Sequence, residues 1–148
     1  MGYYNYTANV VVKKNDGTNE GYTITKSGRS PDVPQGGSYG VYVPFHSTES
    51  YTREGYDFTG YKFNDSGTAK QPGDTVPFWF TGGGTQNQYW YCQWQLKTYT
   101  ISYNANGGSG APDPQTKTHG TDLTLSATVP TRTNYNFQGW ATDRKSVV

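Results

Sequence analysis

The chain has almost none of the residues that build disulfide frameworks or metal sites. Cys92 is its one cysteine, and it contains only two histidines. A single cysteine excludes an intrachain disulfide and any zinc site made from several cysteines. His46 and His119 have no second histidine or carboxylate at metal-ligand spacing. We therefore expect folding to require neither a metal ion nor a disulfide bond.

Long apolar stretches and an excess of one charge are also lacking. No run of about 18 apolar residues occurs, so the sequence predicts no membrane span. The formal net charge is only +1, and there is no basic stripe, which argues against nucleic acid as a partner. Residues 1–4 have neither the basic start nor the apolar stretch of a signal peptide. An export signal is therefore expected outside this chain.

The sequence motifs of enzymes are missing as well. Ser66, Ser109 and Ser126 do not lie in a G-x-S-x-G setting. Gly82–Gly84 lacks the Lys-Ser/Thr of a phosphate-binding loop. Asn64–Gly67 resembles an oxygen-rich calcium turn but lacks the closing glutamate of an EF-hand loop, so we interpret it as a turn. The sequence predicts no catalytic, cofactor-binding or metal-binding residues, and hence no enzyme.

Aromatic residues and glycine are abundant instead. The chain has 14 Tyr, 6 Phe and 4 Trp, together with 19 Gly and 8 Pro. Aromatic and β-branched residues favour strands, while glycine and proline mark turns. No window shows a capped helical period. A buried aromatic side chain covers on the order of 150–250 Å², so a few can form a thin core. We predict a mainly β protein, α+β at most.

One phrase occurs twice, as YTREGYDFTGYKF at residues 51–63 and PTRTNYNFQGWAT at 130–142. The residues at equal offsets are Arg53 and Arg132, Tyr56 and Tyr135, Phe58 and Phe137, Gly60 and Gly139, and Tyr61 and Trp140. Upstream of each phrase, residues 8–19 and 99–110 are alternating runs that end in an Asn/Asp-Gly turn. A long phrase kept in register marks a repeated structural unit.

The two copies differ in length. The first carries extra residues, which we interpret as a longer loop around Thr18–Gly37, and it continues to a closing strand at about Tyr89–Gln95. The second has no equivalent downstream segment. We predict that residues 3–96 form a first, complete but degenerate unit. Residues 97–148 would be the N-terminal part of a second, incomplete unit.

These motifs resemble the Listeria–Bacteroides repeat family, which includes the internalin B-type repeat of bacterial cell-surface proteins. The resemblance rests on YTISYNANGGSGAP, a middle strand at Gly120–Leu125, and PTRTNYNFQGWAT, although Asn134 stands where the family favours glycine. The first copy is degenerate at Tyr51, Tyr61 and residues 15–17. Its closing Tyr91-Cys92-Gln93-Trp94 fits the aromatic-x-x-Trp pattern.

The resemblance implies tandem, β-grasp-like units in an extracellular protein of the bacterial surface. The implied function is a non-enzymatic stalk, spacer or adhesive module. Arg53 and Arg132 could hold an anion, but stacking on the aromatic residues of the phrase is favoured. We expect Phe58 and Phe137 in the core, Tyr61 and Trp140 at its rim, and Trp94 beside Phe58.

A candidate ligand-binding or packing surface consists of Trp79, Trp90, Tyr89 and Tyr91. Strand alternation sends Trp79 opposite to its neighbours Phe78 and Phe80, and Trp90 opposite to Tyr89 and Tyr91, so one set should be partly exposed. The alternative function is therefore a carbohydrate- or receptor-binding domain.

The candidate partners are of two kinds. A strand at residues 135–140 without its neighbours would expose an edge that pairs with other chains. We therefore expect completion by a neighbouring repeat unit or by another copy of the chain. A host or cell-wall glycan or protein is the alternative partner.

Overall fold

The structure, a computed structural model, describes residues 2–49 and 51–142. The chain divides into two compact units, and the division falls between Leu96 and Lys97. We call residues 1–96 unit 1 and residues 97–148 unit 2. The described residues contain strands and no helix, which confirms the mainly β prediction. No helix that could cross a membrane is found in the described part of the chain.

Unit 1 is built from two layers of strands. Its strands are β1 (Asn5–Lys13), β2 (Gly21–Arg29), β3 (Tyr39–Pro44), β4 (Tyr56–Phe63), β5 (Thr75–Phe80) and β6 (Gly84–Leu96). Four of them form a sheet in the order β2-β1-β6-β4, and β3 pairs with β5 separately. The two central strands, β1 and β6, run parallel, whereas β2 and β4 are antiparallel to their neighbours.

The core of unit 1 lies between the two layers. Alternation places Ala8, Val10 and Val12 of β1 on the inner face, where they are fully buried. Opposite them lie the buried side chains of β3 and β5, including Val43 and Phe78. Burying each such side chain contributes about 1.5–3 kcal/mol. Valines and aromatic residues therefore replace the leucine-rich core of most domains.

The loop expected around Thr18–Gly37 is partly wrong, because β2 occupies its middle. All nine residues of β2 pair with β1, and Tyr22 and Ile24 pack against the core. The turn between the strands is held by Asp16, whose carboxylate accepts hydrogen bonds from the Thr18 hydroxyl and backbone N–H. These bonds, together with Lys14 at 3.2 Å, lower the pKa of Asp16 to about 2.

A β-bulge interrupts β4 where it pairs with β6. The register shifts between Phe58 and Gly60, and Gly60 has a φ of 139°. The extra residue, Thr59, brings Phe58 and Tyr61 onto the same inner face, with ring centroids 4.9 Å apart. Simple alternation would place these rings on opposite faces.

Unit 2 contains little regular structure. Strand β7 (Thr98–Ile101) pairs with β8 (Gln115–Thr118), and residues 136–142 lie in no strand. The middle strand expected at Gly120–Leu125 is therefore wrong. Gly120 has a φ of 76°, and the Thr121 N–H bonds to the Thr118 carbonyl, which makes a turn directly after β8. The strand expected at residues 135–140 is wrong as well, because Tyr135 forms only an isolated bridge to Arg132.

Candidate functional site

The repeated phrase begins with the same arginine–tyrosine contact in both units. The Arg53 guanidinium lies 3.9 Å from the centre of the Tyr56 ring, and Arg132 lies 4.1 Å from the Tyr135 ring. In each pair the tyrosine N–H donates a hydrogen bond to the arginine carbonyl, at 3.1 Å and 3.0 Å respectively. A guanidinium stacked on its own turn is positioned by that turn. This geometry favours a packing role for both arginines over anion binding.

The end of the phrase also has the same geometry in both units. Gly60 and Gly139 share a φ of 139°. Phe58 and Tyr61 meet edge to face at 4.9 Å and 63°, and Phe137 and Trp140 do so at 5.1 Å and 64°. The phrase therefore has the same local geometry in both units, although Tyr61 of the first copy stands where the second has Trp140.

Trp94 lies where the sequence analysis places it, beside Phe58. The two residues are paired across β4 and β6, and their rings meet edge to face at 5.8 Å. The Trp94 indole N–H also donates a 2.8 Å hydrogen bond to the Lys14 carbonyl. Trp94 thus connects the closing strand both to the repeated phrase and to the turn after β1.

Tyr61 is more buried than predicted. It is a core residue with 1% of its surface exposed, not a rim residue. Its ring stacks on Phe45 at 4.2 Å, because the bulge in β4 turns it inward. Burial raises the pKa of its phenol well above the ordinary value. Its counterpart Trp140 is half-buried against Tyr103 at 4.8 Å.

In unit 2 the same phrase is largely uncovered. Phe137 is 40% exposed and Tyr135 is 64% exposed, so the expectation that Phe137 lies in the core is wrong. The physical reason is that no described residue packs on Phe137 as Trp94 packs on Phe58. The buried hydrophobic cluster found among residues 2–49 and 51–142 belongs entirely to unit 1.

An open cleft of about 960 Å³ lies beside this uncovered phrase. Its walls are the turn at residues 104–108 and the phrase itself at 130–142. Tyr103, Phe137 and Trp140 supply its aromatic surface, and Arg132 reaches the Asn106 carbonyl across it at 3.3 Å. A cleft of this size with mixed polar and aromatic walls can hold a peptide segment or a small ligand.

The four residues of the candidate aromatic surface do not form one surface. Trp90 is only 6% exposed, so it is a core residue that packs on Phe45 and Phe63. Trp79 is 61% exposed on the outer side of the β3–β5 layer. Tyr89 and Tyr91 alternate with buried Trp90 and belong to the outer face of the four-stranded sheet. The predicted alternation is confirmed, but it divides the set between two layers.

Sequence reasoning missed the true neighbours of Trp79. Tyr42 of β3 is 49% exposed and lies edge to face with Trp79 at 6.3 Å. Gly40 pairs with Trp79 across the strands, and a Cβ at Gly40 would lie 3.1 Å from the indole. The alternation of Gly40 and Tyr42 with buried Val41 and Val43 was the signal that could have identified them.

The remaining reactive group is the Cys92 thiol, which is buried in the core. Burial raises its pKa to about 12, so the thiol stays protonated and unreactive in the native state. No group of three or more potential metal-ligating residues occurs among residues 2–49 and 51–142.

The part of the chain that contains the second copy of the phrase is similar to a known family of repeat domains. The sequence model of the Listeria-Bacteroides repeat domain matches residues 99–147. This match confirms the resemblance over the second copy of the phrase, and the matched family is a structural repeat rather than an enzyme family.

A longer relative covers more of the chain. A protein described as a Gly-rich membrane protein, from Evansella cellulosilytica, is 32% identical over 105 residues. The matched region covers 70% of this chain but only 11% of that relative's length. No solved structure matches the chain.

Proposed function

We propose that the chain is a non-enzymatic stalk or spacer module of a bacterial cell-surface protein. Two comparisons support this proposal. The family matched by residues 99–147 is a structural repeat, and the relative from Evansella cellulosilytica is described as a membrane protein. The finer assignment to a stalk rests on the topology of unit 1.

The observation that carries the proposal is the parallel pairing of β1 with β6. Tyr6 of β1 lies opposite Gly84, and the register continues without interruption to Lys13 opposite Tyr91. Because the strands are parallel, the chain enters unit 1 at one end of the sheet and leaves it at the other. Force applied through the chain therefore runs along the strands, in opposite directions on β1 and β6.

This direction of force loads the inter-strand hydrogen bonds in shear. A shear force is shared by all the bonds between β1 and β6, so they must break nearly together. A force perpendicular to the strands would instead break them one after another. The pair is also central in the sheet, since β2 covers the outer edge of β1 and β4 covers that of β6. Rupture therefore requires the core to open at the same time.

The same topology makes unit 1 long in the direction of the strands. β6 extends beyond its pairing with β1, from Tyr91 to Leu96. At a rise of 3.2–3.4 Å per residue, the distance from Asn5 to Leu96 is roughly 40 Å. A tandem array of such units would hold a terminal domain away from the cell surface.

Single-molecule extension of the full chain between its two termini tests the proposal. Unit 1 should resist as one body and then unfold in one step that lengthens the chain by roughly 280 Å. A gradual extension without a step at that length would contradict a force-resisting module.

A second candidate function, glycan binding, is supported by Trp79 and Tyr42. The exposed indole of Trp79, with Tyr42 edge to face beside it and Gly40 next to it, offers an aromatic face on which the C–H groups of a sugar ring can stack. Titration against a glycan panel tests it, with Trp79→Ala expected to abolish binding. Tyr89→Ala is the matched control, because Tyr89 is equally an exposed aromatic residue but lies on the other layer.

A further inference from the structure

We propose that the cleft of unit 2 is an acceptor site for an extended peptide segment with the chemistry of β6. Such a segment presents alternating aromatic residues and a tryptophan, and it comes from outside the described residues of unit 2. Unit 1 supplies the internal template for this interaction, because there the same phrase holds β6.

The phrase in unit 2 already has the glycine conformation that its counterpart in unit 1 has when paired. In unit 1 the φ of 139° at Gly60 belongs to a bulge that forms against β6. Gly139 has the same angle, although residues 136–142 pair with no strand in the described part of the chain. The segment is thus preorganised for a strand that is not among residues 97–142. Preorganisation lowers the entropic cost of binding.

The two glycines of the phrase differ in the space around them. A Cβ at Gly60 would lie 2.8 Å from the Lys70 carbonyl and 2.9 Å from the Ala69 Cβ. A Cβ at Gly139 would meet no atom within 4 Å. The position that residues 69–71 fill beside Gly60 is therefore open beside Gly139. Because residues 69–71 are not part of β6, this space shows that the phrase of unit 2 is uncovered but does not identify the occupant.

The contacts that Trp94 makes in unit 1 indicate the chemistry of the occupant. Phe137 is 40% exposed, whereas its counterpart Phe58 is covered by the indole of Trp94. The turn residue equivalent to Lys14, which accepts the Trp94 N–H, is Ala105, and Ala105 lines the cleft. A carbonyl oxygen has two lone pairs, so Ala105 can accept a second bond beside the one from the Gly108 N–H. The cleft thus offers an aromatic ring, that of Phe137, for contact with an indole, and a hydrogen-bond acceptor, the Ala105 carbonyl, for the indole N–H.

The β6 strand within the same unit 1 is already engaged. It lies between β1 and β4, and Trp90 and Cys92 are buried. A second copy could offer its β6 only after its unit 1 had opened. The proposed occupant is therefore a separate extended segment with alternating aromatic residues, like β6. It would be recognised by main-chain pairing and by its tryptophan.

The test uses a synthetic peptide with the sequence of residues 84–96 and serine in place of Cys92. Binding to the full chain is measured by calorimetry, and hydrogen exchange locates the site. We expect slower exchange at residues 136–140. A peptide carrying Trp94→Ala and the protein variant Phe137→Ala should each bind at least tenfold more weakly. Phe137→Tyr, which keeps the ring, should retain binding.

Three results would overturn the proposal. One is unchanged exchange at residues 136–140 at millimolar peptide. Another is equal binding of a peptide with the same residues in scrambled order. The third is protection confined to residues 56–63, which would mean that the peptide replaces β6 in unit 1. Dimerisation of the chain without peptide, with residues 136–140 protected, would overturn the choice of occupant in favour of a second copy.

Discussion

The indole of Trp94 bonds to the Lys14 carbonyl at 2.8 Å while its ring packs edge to face against Phe58. One side chain thus joins the closing strand, the turn after β1 and the repeated phrase. In unit 2, where no described residue fills this role, Phe137 is left exposed. The comparison links the stability of a unit to a single aromatic residue.

Trp94→Ala should therefore destabilise unit 1 strongly. We expect a loss of about 3 kcal/mol in the free energy of unfolding, at the lower end for tryptophan truncation because Trp94 is half-buried. Trp94→Phe keeps the ring contact and loses the hydrogen bond, so it should cost about 1 kcal/mol, well below the loss in the alanine variant. Denaturant titration of both variants measures the difference. A loss below about 0.5 kcal/mol for Trp94→Ala would contradict the assigned role.

Gly60→Ala and Gly139→Ala form a matched pair with the same backbone conformation. Both substitutions strain a φ of 139°, but only the Gly60 Cβ collides with the backbone, at the Lys70 carbonyl. We expect Gly139→Ala to cost roughly 1–2 kcal/mol and Gly60→Ala clearly more. Thermal unfolding of the two variants tests this order. Equal losses would show that the neighbouring chain does not constrain Gly60.

Buried Cys92 should make unit 1 sensitive to alkaline pH. Its folded-state pKa is raised to about 12 from an ordinary value of 9.0. Between these values the unfolded chain loses the thiol proton and the native chain keeps it. The native state therefore binds more protons, and stability must fall as pH rises, by up to about 1.4 kcal/mol per pH unit for one group.

Denaturant titrations from pH 8 to pH 11 measure this slope, and Cys92→Ala should reduce it. The same thiol should react with a disulfide reagent only when unit 1 unfolds. Rapid labelling of the native protein at pH 8 would show that the thiol is accessible.

Chelator and reductant should leave the unfolding transition unchanged. The chain has one cysteine, and Asp65 in the turn at Asn64–Gly67 accepts a 2.7 Å hydrogen bond from the Gln93 side chain. This bond gives the turn a structural role that needs no cation. A melting temperature that falls after addition of a chelator would identify Asn64–Gly67 as a calcium site.

The sequence predicted the parts of the fold that depend on local pattern. Alternation correctly placed Trp79 on the opposite face from Phe78, and the repeat placed Trp94 beside Phe58. The alternation pattern predicted the wrong environment for Tyr61, because the bulge at Thr59 shifts the register and moves Tyr61 into the core.

Alternation also could not say which face of a strand would be covered. Tyr89 and Trp90 are adjacent aromatic residues, and the sequence does not show which of them is buried. Trp90 is buried because its face of the sheet packs against the β3–β5 layer. The sequence predicts a loop where β2 lies, because the outer residues of β2 are threonine, lysine and serine. Its pairing with β1 is a long-range property that local sequence does not reveal. The open cleft of unit 2 could not be predicted, because it depends on how the chain packs around the phrase in three dimensions.

The most direct test of a stalk is the dependence of unfolding force on pulling direction. Attachment at Gly2 and Leu96 loads β1 against β6 in shear, whereas attachment at Asn5 and Arg29 peels edge strand β2 from β1 one pair at a time. Rupture under force reports the unfolding barrier. The account predicts a force several-fold higher in the first direction than in the second. Equal forces in both directions would contradict it.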